Sequence, residues 1–165
     1  MNSSNYKILV VGVGNPLLKD EGVGAHVVRR LSCNVYPPFV RILDCGTDLL
    51  SLTSSFGDPE KIIIIDAVRT GKKPGHVRKF QYSELQDMKS NMRSAHQLSM
   101  IEILKLLKHT YLKNSKCEII LIGIEPKIIE LGTELSDEIK LAIPTVMNMI
   151  HEEIAFLSAC QIAGI

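Results

Sequence analysis

The sequence lacks a hydrophobic run long enough to cross a membrane. Its longest purely aliphatic stretch is Ile62 to Ile65, whereas a membrane-spanning helix needs about 20 apolar residues. The stretch Met1 to Lys7 contains no apolar core of the kind that a signal peptide carries. We therefore expect a soluble, cytoplasmic protein.

The chain also lacks an excess of charge of either sign. Its 19 lysines and arginines nearly balance its 18 acidic residues, which gives a net charge of +1. No basic stripe interleaved with aromatic residues is present, so we expect no nucleic-acid partner. A length of 165 residues fits one domain of ordinary size, covering residues 1–165, and we expect it to act as a monomer.

Cysteine is sparse. The 4 cysteines form no Cys-x-x-Cys pair and no dense framework, and they are Cys33, Cys45, Cys117 and Cys160. This spacing predicts reduced thiols rather than disulfides. Cys45 alone lies beside a predicted loop, so a cysteine protease with His96 as the base is an alternative, although nothing in the sequence establishes their contact.

Two common catalytic motifs are missing as well. The chain has no Gly-x-Ser-x-Gly elbow, which disfavours a serine hydrolase of the common α/β type. Gly12-Val13-Gly14 follows a strand and precedes a helix, as in a dinucleotide fingerprint, but the third small residue falls on Leu17. No Walker-type Gly-Lys-Ser or Gly-Lys-Thr exists either. A nucleotide-binding regulator therefore stays open only as a weaker alternative.

Strand patterns alternate with helical patterns along the chain. Continuous apolar runs predict buried strands, and apolar residues at helical spacing predict helices between them. The predicted strands are 7–13, 40–44, 61–66, 76–82 and 117–124, and the predicted helices are 21–32, 48–55, 97–109 and one from 136 through 155 or beyond. Pro144 inside the last helix predicts a kink. This order predicts an α/β protein, a three-layer α/β/α sandwich with a mainly parallel five-stranded sheet and one antiparallel edge strand.

Three polar residues stand where a strand or loop gives way to the next element: Glu21, Asp66 and His96. In an open parallel sheet such edges converge on one crevice. Two carboxylates and one imidazole offer ligands for nickel, zinc or iron, and a three-ligand site leaves a position open for water or substrate. We therefore predict a metal site at this edge.

Each of these residues also has a simpler interpretation. Glu21 can stabilise a helix N-terminus through the helix dipole, and His96 can be a capping histidine. Asp66 follows four isoleucines, so its buried charge requires a partner or a metal. Asp20 is predicted to be the N-cap of the first helix.

The chain resembles a known family, the nickel-iron hydrogenase maturation endopeptidases. The resemblance spans nearly the whole chain and rests on several segments in order. They are Gly12 to Gly24, Asp44-Cys45-Gly46-Thr47, Ile65-Asp66-Ala67, Ser94-Ala95-His96-Gln97-Leu98, Gly123-Ile124-Glu125-Pro126 and Leu135-Ser136. Cys45 stands where glycine is common in that family.

The resemblance implies an endopeptidase of the aspartic type. Such an enzyme removes the C-terminal extension of a hydrogenase large-subunit precursor after nickel insertion. It implies that Glu21, Asp66 and His96 form both the catalytic and the metal-binding set, and that the nickel is carried by the precursor, with zinc or another divalent ion able to take its place. The alternative is a nonproteolytic chaperone that checks or delivers nickel for hydrogenase assembly.

Two loops are predicted to line the groove for the precursor tail. One is Arg69 to Gly75, which contains Lys72 and Lys73, and the other is Gly46 to Ser55. This prediction rests on position, because binding residues concentrate in loops at the edge of a rigid scaffold.

Overall fold

A single five-stranded sheet forms the centre of the molecule. The computed structural model describes residues 6–50, 59–87, 95–110 and 116–163. The strands are β1 (Ile8–Gly12), β2 (Val40–Asp44), β3 (Lys61–Ala67), β4 (Val77–Gln81) and β5 (Glu118–Ile124). Their order is β2-β1-β3-β5-β4. All neighbours are parallel except β4, which pairs antiparallel with β5 at one edge.

Helices follow three of the strands, β1, β4 and β5. They are α1 (Val23–Leu31), α2 (Tyr82–Asp87), α3 (Ala95–Thr110) and α4 (Asp137–Ala163), and a 3₁₀ turn at Lys19–Gly22 leads into α1. None of the helices in the described ranges has both the length and the apolar character that a membrane span requires.

The alternation of side chains along the strands divides the core into two layers. Ile62 and Ile64 of β3 pack with apolar residues of α2 and α3 on one face of the sheet. Ile63 and Ile65 pack with α1 and α4 on the other face. All four isoleucines are buried, and each buried side chain contributes about 2 kcal/mol. Because both faces are covered, the central strand is apolar throughout, and the predicted three-layer α/β/α sandwich is confirmed.

The predicted strands and helices that fall on the described residues agree with the structure within a few residues at most of their ends. The short helix α2 was not predicted. Helix α4 continues through Pro144 from Asp137 to Ala163, and the kink at Pro144 stays a prediction. The predicted helix 48–55 lies mostly outside the described residues. The assignment of residues 1–165 to one domain stays a prediction.

Candidate active site

Asp66 lies near the carboxyl end of β3, the central strand. It pairs with Gly123 of β5, and its side chain is fully buried. The Oδ1 atom accepts a hydrogen bond of 2.8 Å from the backbone N–H of Ala67. This bond orients the carboxylate at the strand end, where sequence analysis predicts it.

Glu21 lies in the 3₁₀ turn, which contacts β3. The close approach depends on Gly14, whose φ is +122°. A Cβ atom at Gly14 would lie 1.8 Å from the backbone oxygen of Glu21 and 3.7 Å from Oδ1 of Asp66. Gly14 therefore lets the backbone of Glu21 lie near the Asp66 carboxylate.

The start of α1 rests directly on the ends of the strands. A Cβ atom at Gly24 would lie 2.2 Å from the backbone oxygen of Val13 and 2.5 Å from that of Ile65. Only a glycine allows this contact, since these distances are far below van der Waals contact. The segment that carries Glu21 is therefore fixed against β1 and β3 at both of its ends.

His96 is the second residue of α3, and its side chain lies outside the part of the chain that the structure describes. Among the described side chains, no group of three or more His, Cys, Asp or Glu residues could hold a metal ion. The set of Glu21, Asp66 and His96 therefore stays a prediction, and the contact between Cys45 and His96 that a cysteine protease would need is untested.

Asp20 is not the N-cap that the sequence suggests. The residue before α1 is Gly22, and no side chain caps that helix. Asp20 is fully buried and accepts four hydrogen bonds from the segment 127–136. Its Oδ2 accepts from the backbone N–H groups of Lys127 and Ile128, each at 2.9 Å, and from Oγ of Ser136 at 2.9 Å. Its Oδ1 accepts from the backbone N–H of Ser136 at 2.7 Å.

Glu125, directly after β5, is a second buried carboxylate whose role the sequence analysis missed. It is 6% exposed and accepts hydrogen bonds from the backbone N–H and the hydroxyl of Thr70, both at 2.7 Å, and from the backbone N–H groups of Gly71 and Lys72. Burial raises the pKa of Glu125, but the hydrogen bonds from Thr70, Lys72 and Gly71 outweigh it and lower the pKa overall. The sequence signals for Glu125 are its place at the end of a buried strand and its presence in the segment Gly123-Ile124-Glu125-Pro126 that carries the family resemblance.

The loop after β2 borders the same edge of the sheet. The backbone N–H of Gly14 donates to the backbone oxygen of Gly46 at 2.8 Å, and that of Cys45 donates to Gly12 at 2.9 Å. The Cys45 thiol donates to the backbone oxygen of Asp48 at 2.9 Å. The cysteines whose side chains are described, Cys33, Cys45 and Cys117, are reduced thiols.

Fold and site together define an α/β protein with buried and half-buried carboxylates at the carboxyl edge of a mainly parallel sheet. Comparison with known proteins specifies the class. A model of the hydrogenase maturation protease family matches residues 25–153. The chain therefore belongs to the hydrogenase maturation protease family, and the resemblance seen in the sequence is confirmed.

Individual relatives support this assignment. Protein FrxA of Pyrococcus furiosus is 36% identical over 132 residues, which are 79% of this chain and 93% of the relative. The hydrogenase 2 maturation protease of Escherichia coli is 31% identical over 146 residues, 87% of this chain and 88% of the relative. The structure of the NiFe hydrogenase maturation protease HybD from Thermococcus kodakarensis superposes with a TM-score of 0.78 and 34% identity, covering 90% of this chain and 99% of that chain.

Proposed function

We propose that this protein removes the C-terminal extension of a nickel-iron hydrogenase large-subunit precursor after nickel has been inserted. Glu21, Asp66 and His96 engage the nickel that the precursor carries. The observation that supports this most strongly is the buried Asp66 carboxylate at the carboxyl end of β3, with the backbone of Glu21 held beside it by Gly14. Membership of the maturation protease family supports the processing role.

The chemistry of the donor set suits the ion. Carboxylate oxygens and imidazole nitrogen are ligands that divalent first-row metals accept, and three protein ligands leave positions for ligands of the precursor. Zinc or another divalent ion fits the same donors. The set therefore recognises a metal-loaded precursor in preference to an empty one, because only the loaded form gains these bonds.

His96 is included in the set because it lies in the first turn of α3, within the segment Ser94-Ala95-His96-Gln97-Leu98 that resembles the histidine segment of the maturation endopeptidases.

Two roles for the metal are compatible with these residues during hydrolysis. In one, the ion polarises the scissile carbonyl or lowers the pKa of a bound water, with Glu21 or Asp66 as the general base. In the other, the ion only positions the peptide bond. In both, water adds across that bond and releases the extension as a separate peptide.

Loop 69–75 forms one wall of the groove for the precursor tail. Glu125 anchors its backbone through Thr70, Gly71 and Lys72. Lys72 and Lys73 are exposed on this loop and contact the tail. The reduced thiols of Cys33, Cys45 and Cys117 suit a reducing compartment, and we place the reaction in the cytoplasm, with the protein acting as a monomer.

The test is the intact mass of nickel-loaded precursors from the source organism after incubation with this protein. We expect the wild type to release a C-terminal peptide, and Asp66→Asn, Glu21→Gln and His96→Gln to lower kcat/KM by at least about 100-fold. Circular dichroism checks that each variant is folded. Full-length precursor that still binds the wild-type protein would contradict the protease function and support a nickel-checking chaperone instead.

A further inference from the structure

Asp20 ties the 3₁₀ turn to the segment that joins β5 to α4. Its four hydrogen bonds come from Lys127, Ile128 and Ser136, and we call these residues with Asp20 the Asp20 clamp. We propose that Asp20 is a positioning residue that fixes Glu21 for metal binding. This inference rests on the proposed function, because it requires Glu21 to bind the nickel of the precursor.

The Asp20 clamp holds the residue next to Glu21 on one side. On the other side, the backbone of Gly14 lies against the backbone of Glu21 and leaves it no room to move. The backbone oxygen of Glu21 would be only 1.8 Å from a Cβ atom at Gly14. Glu21 is thus held between the strand ends and the Asp20 clamp. A shift of the turn in either direction moves the Glu21 carboxylate relative to Asp66.

Backbone hydrogen bonds add to the same connection. The N–H of Lys19 donates to the oxygen of Gly132 at 2.8 Å, and the N–H of Gly132 donates to the oxygen of Leu17 at 2.9 Å. Lys19 has a φ of +46°, a left-handed conformation that needs support from its surroundings. The turn therefore has a defined shape only while the 127–136 segment is attached.

The clamp requires a carboxylate rather than an amide. All four groups that face Asp20 donate to it, and a carboxylate offers acceptors on both oxygens. In Asp20→Asn an amide nitrogen replaces one of the two oxygens. Its two N–H groups then face the N–H or O–H groups that donated to that oxygen. The clamp then opens at that side, although the size of the side chain hardly changes.

The first readout is the affinity of the full chain for nickel(II) chloride, measured by titration calorimetry. Groups that orient metal ligands change metal affinity by about 10- to 100-fold. We expect Asp20→Asn to raise the nickel Kd by about 10-fold or more while circular dichroism shows a folded protein. With nickel-loaded precursor, the same variant should lower kcat more than it changes KM.

Ser136→Ala tests the hydrogen bonds of the Asp20 clamp separately from the charge of Asp20. It removes one donor from the Asp20 clamp but keeps the negative charge of Asp20. We expect it to raise the nickel Kd by about threefold, less than Asp20→Asn. It also tests the proposal by itself if Asp20→Asn fails to fold, since an unchanged Kd in Ser136→Ala would then overturn it.

Glu153→Gln is the matched control for lost stability. Glu153 is a largely buried carboxylate on α4 that pairs with Lys61 and Lys79, and Lys61 begins β3 at the edge opposite Asp66. This variant should lower the melting temperature without changing the nickel Kd. If Asp20→Asn behaves in the same way, Asp20 is only structural and the proposal is wrong.

Glu21→Gln distinguishes this proposal from the function on which it rests. A weakened nickel affinity in Glu21→Gln with a wild-type affinity in Asp20→Asn would overturn the positioning role alone. A wild-type nickel affinity in Glu21→Gln together with an unchanged kcat/KM of that variant for the nickel-loaded precursor would overturn the nickel-binding set itself.

Discussion

Gly14 is the single residue whose replacement should disturb the site most directly. A Cβ atom there would overlap the backbone oxygen of Glu21 at 1.8 Å, and φ is +122°. We expect Gly14→Ala to lower the free energy of unfolding by at least about 3 kcal/mol. Nickel binding should weaken as well, because the 3₁₀ turn must move away from Asp66. Urea unfolding and calorimetry measure the two effects.

Gly71→Ala is the control for backbone strain without overlap. Gly71 has a φ of +80°, and no atom lies within 4 Å of its Cβ position. Gly71→Ala should lower the free energy of unfolding by about 1 kcal/mol and leave the nickel Kd unchanged. An equal loss of stability in the two variants would show that the contact between Gly14 and Glu21 is not a tight one.

Glu125 gives the protein a defined dependence on pH. Burial raises its pKa, but hydrogen bonds from Thr70, Lys72 and Gly71 lower it below the ordinary value of 4.5. A lowered folded pKa means that the stabilisation is complete above about 4.5 and is lost as the pH falls through the folded pKa. Glu125→Gln should therefore be less stable than the wild type at neutral pH, with a difference that shrinks below about pH 4.5.

Urea unfolding of both proteins from neutral pH to about pH 3 measures this difference. Other carboxylates titrate equally in the two proteins and cancel. A difference in unfolding free energy that stays constant over the whole range would mean that Glu125 is not ionised in the folded protein.

The position of Asp66 was predictable because an acid after four isoleucines must end a buried strand. Asp20 was not. It stands beside Glu21 in a segment without periodicity, and the sequence gives no sign of which acid faces the site. The donors to Asp20 lie more than a hundred residues away in the chain, so its role depends on tertiary packing. For His96, the helix was predictable, while its metal-binding role stays a prediction.

At the scale of elements, long periodic segments were predictable and short ones were not. The apolar run of β3 and the helical stripe of α3 each contain enough residues to show a period. α2 spans only Tyr82–Asp87, which is less than two turns and too short for a pattern. Pro144 removes one helical hydrogen bond, and α4 still continues through it while packing on the sheet over much of its length.

The packing of α4 on the sheet includes a largely buried ion pair. The side chains of Lys61 and Glu153 are 5% and 12% exposed. Burial lowers the pKa of Lys61, but its bonds to Glu153 and Glu118 outweigh this and raise it. Glu153→Gln leaves the Lys61 charge poorly compensated, and we expect a loss of about 3 kcal/mol in the free energy of unfolding.

The double variant Lys61→Met/Glu153→Leu is the comparison. It removes both charges and fills the space with apolar groups, so it should be clearly more stable than Glu153→Gln. If chemical denaturation finds the double variant less stable than the single one, the pair contributes net stability and this expectation is wrong.

At the scale of the whole molecule, the exposed lysines of loop 69–75 should bind the precursor tail. Lys72→Ala/Lys73→Ala removes two positive charges without disturbing the bonds to Glu125, because Lys72 donates through its backbone. We expect KM for the nickel-loaded precursor to rise by about 3- to 10-fold with kcat unchanged. Steady-state cleavage kinetics measure this.

Lys105→Ala/Lys108→Ala on α3 removes the same charge from the half of that helix farther from His96. It should leave KM unchanged. If Lys72→Ala/Lys73→Ala has the same KM as the wild type, loop 69–75 does not bind the precursor tail. That result would leave the proposal for the metal site intact.

The most direct test of the central claim is a competition in one tube. Nickel-loaded precursor is mixed with an equal amount of metal-free precursor that carries a heavy nitrogen label. The wild-type protein is then added, and the intact masses of both precursors are measured over time. We predict that only the nickel-loaded precursor loses its C-terminal extension, because it alone offers the ion to Glu21, Asp66 and His96. Equal rates of cleavage for the two precursors would contradict nickel recognition.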